Sequence, residues 1–442
     1  MTYSPSYSQT PPHSKKSTFI FFVTCAKNLE GLLREEILEI GNNNVVLKET
    51  VAGVYVEGTL ELAYRICLWS RLANQVLLKL VEFEVRDSQG LYREIQKIRW
   101  SEHLDLDRTF AVDITGEHNF MTHSLYTAQR IKDAIVDQFR KVTGDRPSIE
   151  TSRPDVLLNL HMDGEFCTLS LSLSGESLHR RGYRLEGGKA PLKETLAAAI
   201  LIRAGWPKYL KQENPVLLDP MCGTGTLLIE AAFMAFDIAP GLDRTYFGFL
   251  GWKHHDGEIW RKLLKEAEDR QSKGLTRKDV KILGSDIHPE AIAKSQENIS
   301  KAGLASYISV KLGDCTELKY PEELTPPLCP TDQEPVELSL PPGERRDQDT
   351  PQKNNRLIIC NPPYGERMNP GDFESLDLLF KGFGDALKAH FMGWHMAVFS
   401  GAPKECTQHL RMRSHKSYPL YNGTLPCRVY LFEIEKEKFF RD

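Results

Sequence analysis

The fold of the second half of the chain is decided by the stretch Val216-Leu217-Leu218-Asp219-Pro220-Met221-Cys222-Gly223-Thr224-Gly225-Thr226. It predicts a short apolar strand, a turn with two glycines and a helix that begins at Thr226. Gly223 and Gly225 let the backbone pass close to a ligand where a side chain would collide. Unpaired N–H groups at the helix start suit acceptor oxygens, and Asp219 at the strand end suits an amino group. The stretch is neither a GxGxxG fingerprint nor a P-loop, and standing alone it is also compatible with an ordinary tight turn.

Beyond this stretch, short apolar strands alternate with helices, a pattern typical of a doubly wound parallel sheet. The predicted strands are Val216–Asp219, Lys281–Asp286, Ile308–Leu312, Leu357–Asn361 and Met396–Ser400. The predicted helices are a first one that starts at Pro191, followed by Thr226–Phe236, Pro289–Ala302 and Leu376–Phe391. Residues 321–356 hold eight prolines and no periodicity, which predicts a disordered surface insertion.

Two further acids follow predicted strands. Asp286, in Gly284-Ser285-Asp286-Ile287, suits both hydroxyls of a ribose. Asp314, after Leu312-Gly313, suits the exocyclic amine of a purine. Either one alone is more often the cap of a turn. Together with Asp219 they predict a ligand crevice, because strand ends form the crevice of open α/β sheets.

The most specific segment is Asn361-Pro362-Pro363-Tyr364. The prolines lack N–H donors and stiffen the turn, so the Pro362 carbonyl can face outward beside the side-chain carbonyl of Asn361. Two acceptors on one NH₂ group would orient the lone pair of an amine. Tyr364 offers a face on which a base can stack. The alternative is a loop that is merely rigid.

The front half predicts an α+β region that carries no catalytic constellation. Strands Val156–Met162 and Phe166–Leu173 are expected to form a hairpin that turns at Asp163-Gly164. Helical spacing covers Asn28–Leu38 and Ser124–Arg140. The expected buried stripe of the second helix is Tyr126, Ile131, Ile135 and Phe139. Residues 1–16 offer little to bury and predict a disordered tail.

Charge and composition restrict the partners. The 442 residues carry a formal net charge of −4, so a nucleic acid would have to be met by a local basic patch. Segment 179–193 is a candidate, with five basic residues against Glu186 alone and with Tyr183 available to stack. Its basic residues are Arg180, Arg181, Arg184, Lys189 and Lys193. The alternative is a solvated linker whose arginines pair with acids of the flanking domains.

The cysteine pattern and the hydropathy of the chain indicate the cellular compartment in which the protein is expected. The nine cysteines are scattered without CxxC spacing, so we expect buried reduced thiols, neither a metal site nor disulfides, and a cytoplasmic protein. No run of 18 apolar residues and no signal peptide is present, so no membrane association is expected.

Segments 219–226, 285–287 and 361–367 resemble motifs of S-adenosylmethionine-dependent methyltransferases that modify exocyclic amines. From about Phe22 onward the chain resembles the bacterial 23S rRNA guanine-N2 methyltransferases, in particular the N-terminal half of the large bifunctional members. The resemblance also extends over 68–73, 112–113, 132–137, 178–184 and 190–200.

This resemblance implies an α/β fold with a Rossmann-like class I methyltransferase domain behind an α+β ferredoxin-like and THUMP region. The implied divisions are a tail at 1–16, a ferredoxin-like element at 17–59, a THUMP RNA-binding domain at 60–171, a basic linker at 172–192 and the methyltransferase domain at 193–442. The chain stops after one methyltransferase domain, so we expect the second activity of the fused enzymes to be absent. The insertion at 321–356 is foreign to the family pattern.

The resemblance implies methyl transfer from S-adenosylmethionine to the N2 amine of a guanine in 23S rRNA or a pre-ribosomal particle, without a metal. The implied cofactor-binding residues are Asp219, Met221, Gly223, Gly225, Asp286, Ile287 and Asp314. The implied catalytic residues are Asn361, Pro362 and Tyr364, and the expected RNA contacts are Arg180, Arg181, Arg184 and Lys193. Alternatives are methylation of adenine N6 in RNA or DNA, methylation of a protein glutamine amide, and an inactive RNA-binding assembly factor.

Overall fold

The computed structural model describes residues 18–43, 45–184, 192–321, 355–364, 373–402 and 407–439. The predicted tail at 1–16 lies outside these residues. So do 185–191 of the predicted linker and 322–354 of the predicted insertion.

The front region is built on one sheet of eight strands, in the order β2-β3-β1-β4-β8-β7-β5-β6 among the described residues. Its strands are β1 (Phe19–Thr24), β2 (Val46–Thr50), β3 (Gly53–Gly58), β4 (Gln75–Glu84), β5 (Thr109–His118), β6 (Ser148–Ile149), β7 (Val156–Gly164) and β8 (Phe166–Ser172). Its helices are α1 (Glu30–Ile40), α2 (Leu60–Trp69), α3 (Ser88–Gln96) and α4 (Ser124–Thr143). Strand β4 pairs with β1 at its start and with β8 along most of its length, so the sheet continues without a break.

The predicted hairpin of the front region is confirmed. Strands β7 and β8 pair antiparallel from Asp163↔Phe166 onward, and Gly164 takes the positive φ of +65° that the turn requires. Helix α4 buries Ile135 as expected, but Tyr126 is exposed and that prediction is wrong. Nine residues, about two and a half helical turns, separate these two side chains, so they lie on opposite faces.

The second region is built on a sheet of seven strands, in the order β11-β10-β9-β12-β13-β15-β14 within the described ranges. Its strands are β9 (Val216–Asp219), β10 (Lys281–Asp286), β11 (Ile308–Leu312), β12 (Arg356–Cys360), β13 (His395–Ser400), β14 (Lys416–Asn422) and β15 (Leu425–Glu433). Its helices are α5 (Glu194–Arg203), α6 (Trp206–Tyr209), α7 (Thr226–Ala235), α8 (Gly257–Gly274), α9 (Pro289–Lys301) and α10 (Phe373–His390).

The predicted doubly wound sheet is confirmed for β9 to β13, which run parallel. Strands β14 and β15 instead add an antiparallel edge that the sequence reading did not include. Successive residues of β9 are buried on opposite faces of the sheet: Leu217 packs in the cluster that holds α7, and Leu218 packs in the cluster that holds α10. The chain order reverses beside β9, with β10 on one side and β12 on the other. This is the switch point at which open α/β sheets bind ligands.

The two regions dock through a shared apolar core. The ring of Tyr64, on α2, packs on Phe249 with a centroid distance of 4.2 Å. A Cβ on Gly248 would lie 2.2 Å from the carbonyl oxygen of Ser172, so only glycine permits this approach of two backbones. Within the part of the chain that the structure describes, no helix has the length and apolarity to cross a membrane.

Candidate active site

Four of the predicted site residues lie at one edge of the seven-stranded sheet. Asp219 and Asp286 are the last residues of β9 and β10, and Asp314 and Asn361 closely follow β11 and β12. These strands are parallel neighbours, so their carboxyl ends share an edge. The fold therefore brings together groups that stand far apart in sequence.

The glycine turn has the backbone that the sequence requires. Gly223 and Gly225 have φ values of +55° and +80°, a region that favours glycine. A Cβ on Gly225 would lie 2.5 Å from Oγ of Ser295, whereas a Cβ on Gly223 would have no neighbour within 4 Å. The turn is therefore packed against α9 on one side and open at Gly223, where a ligand can approach the backbone.

Asp286 holds this turn in place. Its Oδ2 accepts a hydrogen bond from the backbone N–H of Gly223 at 2.9 Å, and its Oδ1 accepts one from His288 at 3.0 Å. One carboxylate thus joins the glycine turn to the start of α9. The next side chain, Ile287, is 56% exposed and offers an apolar surface beside the carboxylate.

Asp219 is the most buried of the site acids, with 1% of its surface exposed. Its Oδ1 accepts a hydrogen bond from the N–H of Met221 at 3.1 Å. Burial, together with the nearby charge of Asp286, raises the pKa of Asp219 well above its ordinary value. A cationic amino group bound here would offset both effects.

Asp314 uses only one of its oxygens within the described chain. Oδ1 accepts hydrogen bonds from the backbone N–H and the hydroxyl of Thr316, each at 2.8 Å. No described group donates to Oδ2. This side chain is therefore a cap for the turn at Cys315–Glu317 that also retains an acceptor oxygen for a ligand.

The side chain of Asn361 has an unpartnered acceptor. Its Oδ1 is buried, and no described group donates a hydrogen bond to it. Leaving a buried carbonyl unpaired costs about 1–3 kcal/mol, so such an atom calls for a donor from outside the described residues. Pro362 beside it is buried, and Pro363 is exposed.

The prediction that Tyr364 offers a face for stacking is wrong for this structure. The side chain is only 4% exposed and meets the ring of Phe399 edge to face at 6.0 Å. Its hydroxyl oxygen accepts a hydrogen bond from Nδ2 of Asn422, in β14, at 3.3 Å. The tyrosine therefore anchors the Asn-Pro-Pro-Tyr loop on the neighbouring strands.

The thiols near the site are packing groups. Cys222 and Cys360 are buried, and burial raises the pKa of both, which keeps them neutral. The seven cysteines in the described ranges are all free and buried, as expected from their spacing.

The prediction that Arg181 contacts RNA and that Tyr183 is available to stack is wrong. Arg181 is 2% exposed and donates to the carbonyl oxygens of Leu178 and Arg71, at 2.8 and 2.6 Å. It also forms an ion pair with Glu230, on α7, at 3.5 Å. The ring of Tyr183 is buried too, and its hydroxyl donates to the same carboxylate. Neither side chain can reach a phosphate or a base, because both lie in the interface between the two regions.

The prediction that Arg184 contacts RNA is also wrong, because its guanidinium is engaged by groups of the protein itself. Its Nε donates to Glu194 at 2.8 Å, and one terminal nitrogen donates to the carbonyl of Leu192 and the hydroxyl of Thr226. Thr226 is the first residue of α7, directly after the glycine turn. Arg184 thus supports the candidate cofactor turn from behind.

Two of the expected RNA contacts remain accessible. Arg180 is 64% exposed, with an ion pair of 3.5 Å to Glu176, and Lys193 is exposed ahead of α5. Both stay predicted phosphate contacts. The sequence reading missed a second basic surface on the hairpin of β14 and β15. The available signal was the absence of Asp and Glu from 407–432.

Comparison with known families places each region of the chain. The family model of the RlmL ferredoxin-like domain matches residues 20–77, and that of the THUMP domain matches 85–172. The model of the RMKL-like methyltransferase domain matches 181–325 and 344–430.

Individual relatives agree with these matches. The ribosomal RNA large subunit methyltransferase K/L of Methylococcus capsulatus is 44% identical over 420 residues, which make up 95% of this chain and 52% of that protein. The chain thus spans about half the length of this relative.

Solved structures share the architecture. A possible methylase from Clostridium difficile 630 superposes with a TM-score of 0.76 at 26% identity, covering 94% of this chain and 98% of that one. SMU.472, solved in complex with SAH, has a TM-score of 0.76 at 23% identity over 96% of this chain and 100% of its own. The second likeness shows the fold alone. With the RMKL-like model covering more than half of its length, the chain belongs to the family of RMKL-like methyltransferase domains.

Proposed function

We propose that this chain is an S-adenosylmethionine-dependent methyltransferase that methylates the N2 amine of a guanine in 23S rRNA. The observation that carries the proposal is the buried, unpartnered Oδ1 of Asn361 at the sheet edge that also holds the glycine turn. The Methylococcus capsulatus relative, named for modification of large-subunit rRNA, supports the substrate class, and the match to the RMKL-like methyltransferase model supports methyl transfer.

The sheet edge fits the cofactor in charge and in shape. Asp219 is a buried carboxylate short of a cationic partner, and the glycine turn with Met221 is open at Gly223. These residues and Gly225 would hold the methionine end. Asp286 would accept from the ribose hydroxyls beside Ile287, and Oδ2 of Asp314 would accept from the adenine amine. When bound, S-adenosylmethionine supplies an electrophilic methyl group on a sulfonium.

The substrate amine would be positioned by the Asn-Pro-Pro-Tyr loop. Oδ1 of Asn361 and the carbonyl of Pro362 would accept one N–H hydrogen each, which draws the nitrogen lone pair out of conjugation with the ring. Tyr364 holds the loop through Asn422, so the acceptors are fixed before the substrate arrives. Most of the rate enhancement would come from this positioning and from electrostatics.

The proton balance needs no acid from the chain. The new N–C bond forms as the C–S bond breaks, and the leaving group departs as a neutral thioether. The methylated amine then loses one proton to water. The target nucleotide has to leave its stack for the amine to reach Asn361, at a cost of a few kcal/mol.

Methyl transfer to defined RNA tests the proposal. The purified chain is incubated with labelled S-adenosylmethionine and a 23S rRNA transcript, with a 16S rRNA transcript as control, and the nucleosides are separated by mass spectrometry. We expect N2-methylguanosine in the 23S transcript alone. N6-methyladenosine would replace the guanine assignment by the adenine one. Cofactor binding by calorimetry without transfer to any RNA would contradict the proposal and favour an inactive binding protein.

A further inference from the structure

The hairpin of β14 and β15 carries an unusual distribution of charge. Residues 407–432 contain no Asp or Glu but four Lys or Arg residues. All four are exposed: Arg411 and Arg413 precede β14, and Lys416 and Arg428 lie on the hairpin, whose last residue is Glu433. In a chain of net charge −4, this is a local surplus of positive charge.

The cations of the hairpin are held by aromatic rings and hydroxyls. Nζ of Lys416 lies 5.0 Å from the ring centre of Tyr418, and the guanidinium of Arg203 lies 4.5 Å from the same ring. Arg428 donates to the hydroxyl of Ser417 at 2.9 Å. Among the described residues, no carboxylate forms an ion pair with any of these three cations.

Other exposed basic side chains of the chain do form ion pairs. On α8, Lys265 pairs with Asp269 at 3.1 Å. Before that helix, Lys253 pairs with Asp105 of the front region at 2.6 Å. An unpaired cation keeps its full attraction for an external anion, whereas a paired one has already lost most of it. The hairpin therefore differs from these sites in what it can bind.

The hairpin borders the candidate active site. Arg428 stands in register with Ser400, the last residue of β13, so it lies at the same edge of the sheet as the end of β12. About 10 Å, two strand spacings, separates β12 from β15. At the other strand, Asn422 donates directly to Tyr364 of the Asn-Pro-Pro-Tyr loop.

We propose that the hairpin of β14 and β15 binds the phosphate backbone of the RNA that flanks the methylated nucleotide. The inference rests on the proposed function, and it assigns the phosphate contacts of the substrate RNA to Lys416 and Arg428. Phosphodiesters match unpaired ammonium and guanidinium groups. Tyr421 carries a further cation, Lys27 of the front region, at 5.1 Å from its ring centre. Lys416 and Tyr418 lie on one face of the hairpin, and Arg428 and Tyr421 lie on the other, so the proposed contact runs around the exposed edge strand β14.

The test compares two double variants that remove the same charge. K416A/R428A removes two cations without acidic partners, and K253A/K265A removes two exposed cations that have them. Dissociation constants are measured against salt concentration for a 23S rRNA transcript and for a mixed-sequence single-stranded RNA. We expect the log–log salt slope of K416A/R428A to fall by about 1.4–1.8, and that of the control to stay at the wild-type value. Affinity for S-adenosylmethionine and the melting temperature should match the wild type in both.

Two results would overturn the inference. One is a wild-type salt slope in K416A/R428A, and the other is an equal loss in K253A/K265A. If the wild-type chain methylates 23S rRNA while either result holds, the proposed function stands and only the hairpin assignment fails. If the wild-type chain transfers no methyl group to RNA, the proposed function fails, whatever the salt slopes of the two variants are.

Discussion

Two basic stretches of this chain have opposite fates in the fold. The linker at 179–184 has the higher density of basic residues in the sequence. Its Arg181 and Arg184 nevertheless donate hydrogen bonds to carboxylates and carbonyls inside the protein. The hairpin at 416–428 is sparser, yet Lys416 and Arg428 have no acidic partner within the described residues. Charge density along a sequence therefore does not identify a nucleic-acid surface. What decides is whether the fold brings carboxylates to the same place.

The linker needs its arginines because charged groups are buried where the two regions meet. Glu230 is fully buried on α7, and burial raises its pKa while Arg181 and Arg71 oppose that shift. Arg71 is half-buried and donates to the carbonyls of Phe233 and Ile238. Each charge in this cluster is tolerable only with its partners in place.

The largest difference between the two stretches should be in stability. We expect R181M to lower the free energy of unfolding by about 3–5 kcal/mol, because Glu230 is left buried without its guanidinium partner. R428M should change it by less than about 0.5 kcal/mol, since Arg428 is exposed. Urea unfolding followed by tryptophan fluorescence measures both.

A second variant separates charge from packing in the linker. R181M/E230M should recover much of the lost stability, because a matched apolar pair removes both buried charges. If R181M were as stable as the wild type and its RNA affinity depended less on salt, Arg181 would be an RNA contact and not a partner of the buried Glu230.

A smaller effect is expected where the linker touches the cofactor turn. R184Q should lower the affinity for S-adenosylmethionine several-fold, because it removes the hydrogen bond to Thr226 at the start of α7. It should also lower the free energy of unfolding by about 1–3 kcal/mol, because it leaves Glu194 unpaired. Calorimetric titration of the cofactor measures the first effect. The RNA salt slope should stay at its wild-type value, and a slope reduced by one phosphate contact with unchanged cofactor affinity would argue for an RNA role.

The smallest expected effect is the loss of stability at acidic pH that His179 causes. Burial, with Lys193 and the linker arginines nearby, lowers the pKa of His179 to about 4. Its unfolded pKa is about 6.5, so the unfolded chain binds the proton first as the pH falls. The stabilisation is complete above pH 6.5 and declines toward pH 4.

Between pH 7 and pH 5, the wild-type chain should lose about 1 kcal/mol more than H179Q, a figure reduced for the partial exposure of the ring. Urea unfolding at the two pH values gives the difference. Parallel pH profiles for the two proteins would mean that the ring is as solvated in the linker as it is in the unfolded chain.

Sequence reasoning succeeded where local pattern and burial agree. The predicted ends of β9, β10 and β11 match the structure, and in β9 and β10 this is because a short run of buried residues is closed by an acid. It failed for β14 and β15, whose antiparallel pairing depends on contacts with β13 rather than on their own alternation. It also failed for Tyr364 and Tyr183, since nothing in a sequence shows which side of a tyrosine the fold will cover.

The most direct test of the account is the substitution N361A. The proposed partner of Oδ1 is the substrate amine, so turnover of methyl transfer to 23S rRNA should fall about 100-fold, by analogy with the loss of one oxyanion-hole donor. Affinity for S-adenosylmethionine, measured by calorimetry on the same preparation, should stay within about twofold of the wild type. Full turnover in N361A would contradict the assignment of this loop as the amine site. A loss of cofactor binding equal to the loss of turnover would contradict it as well.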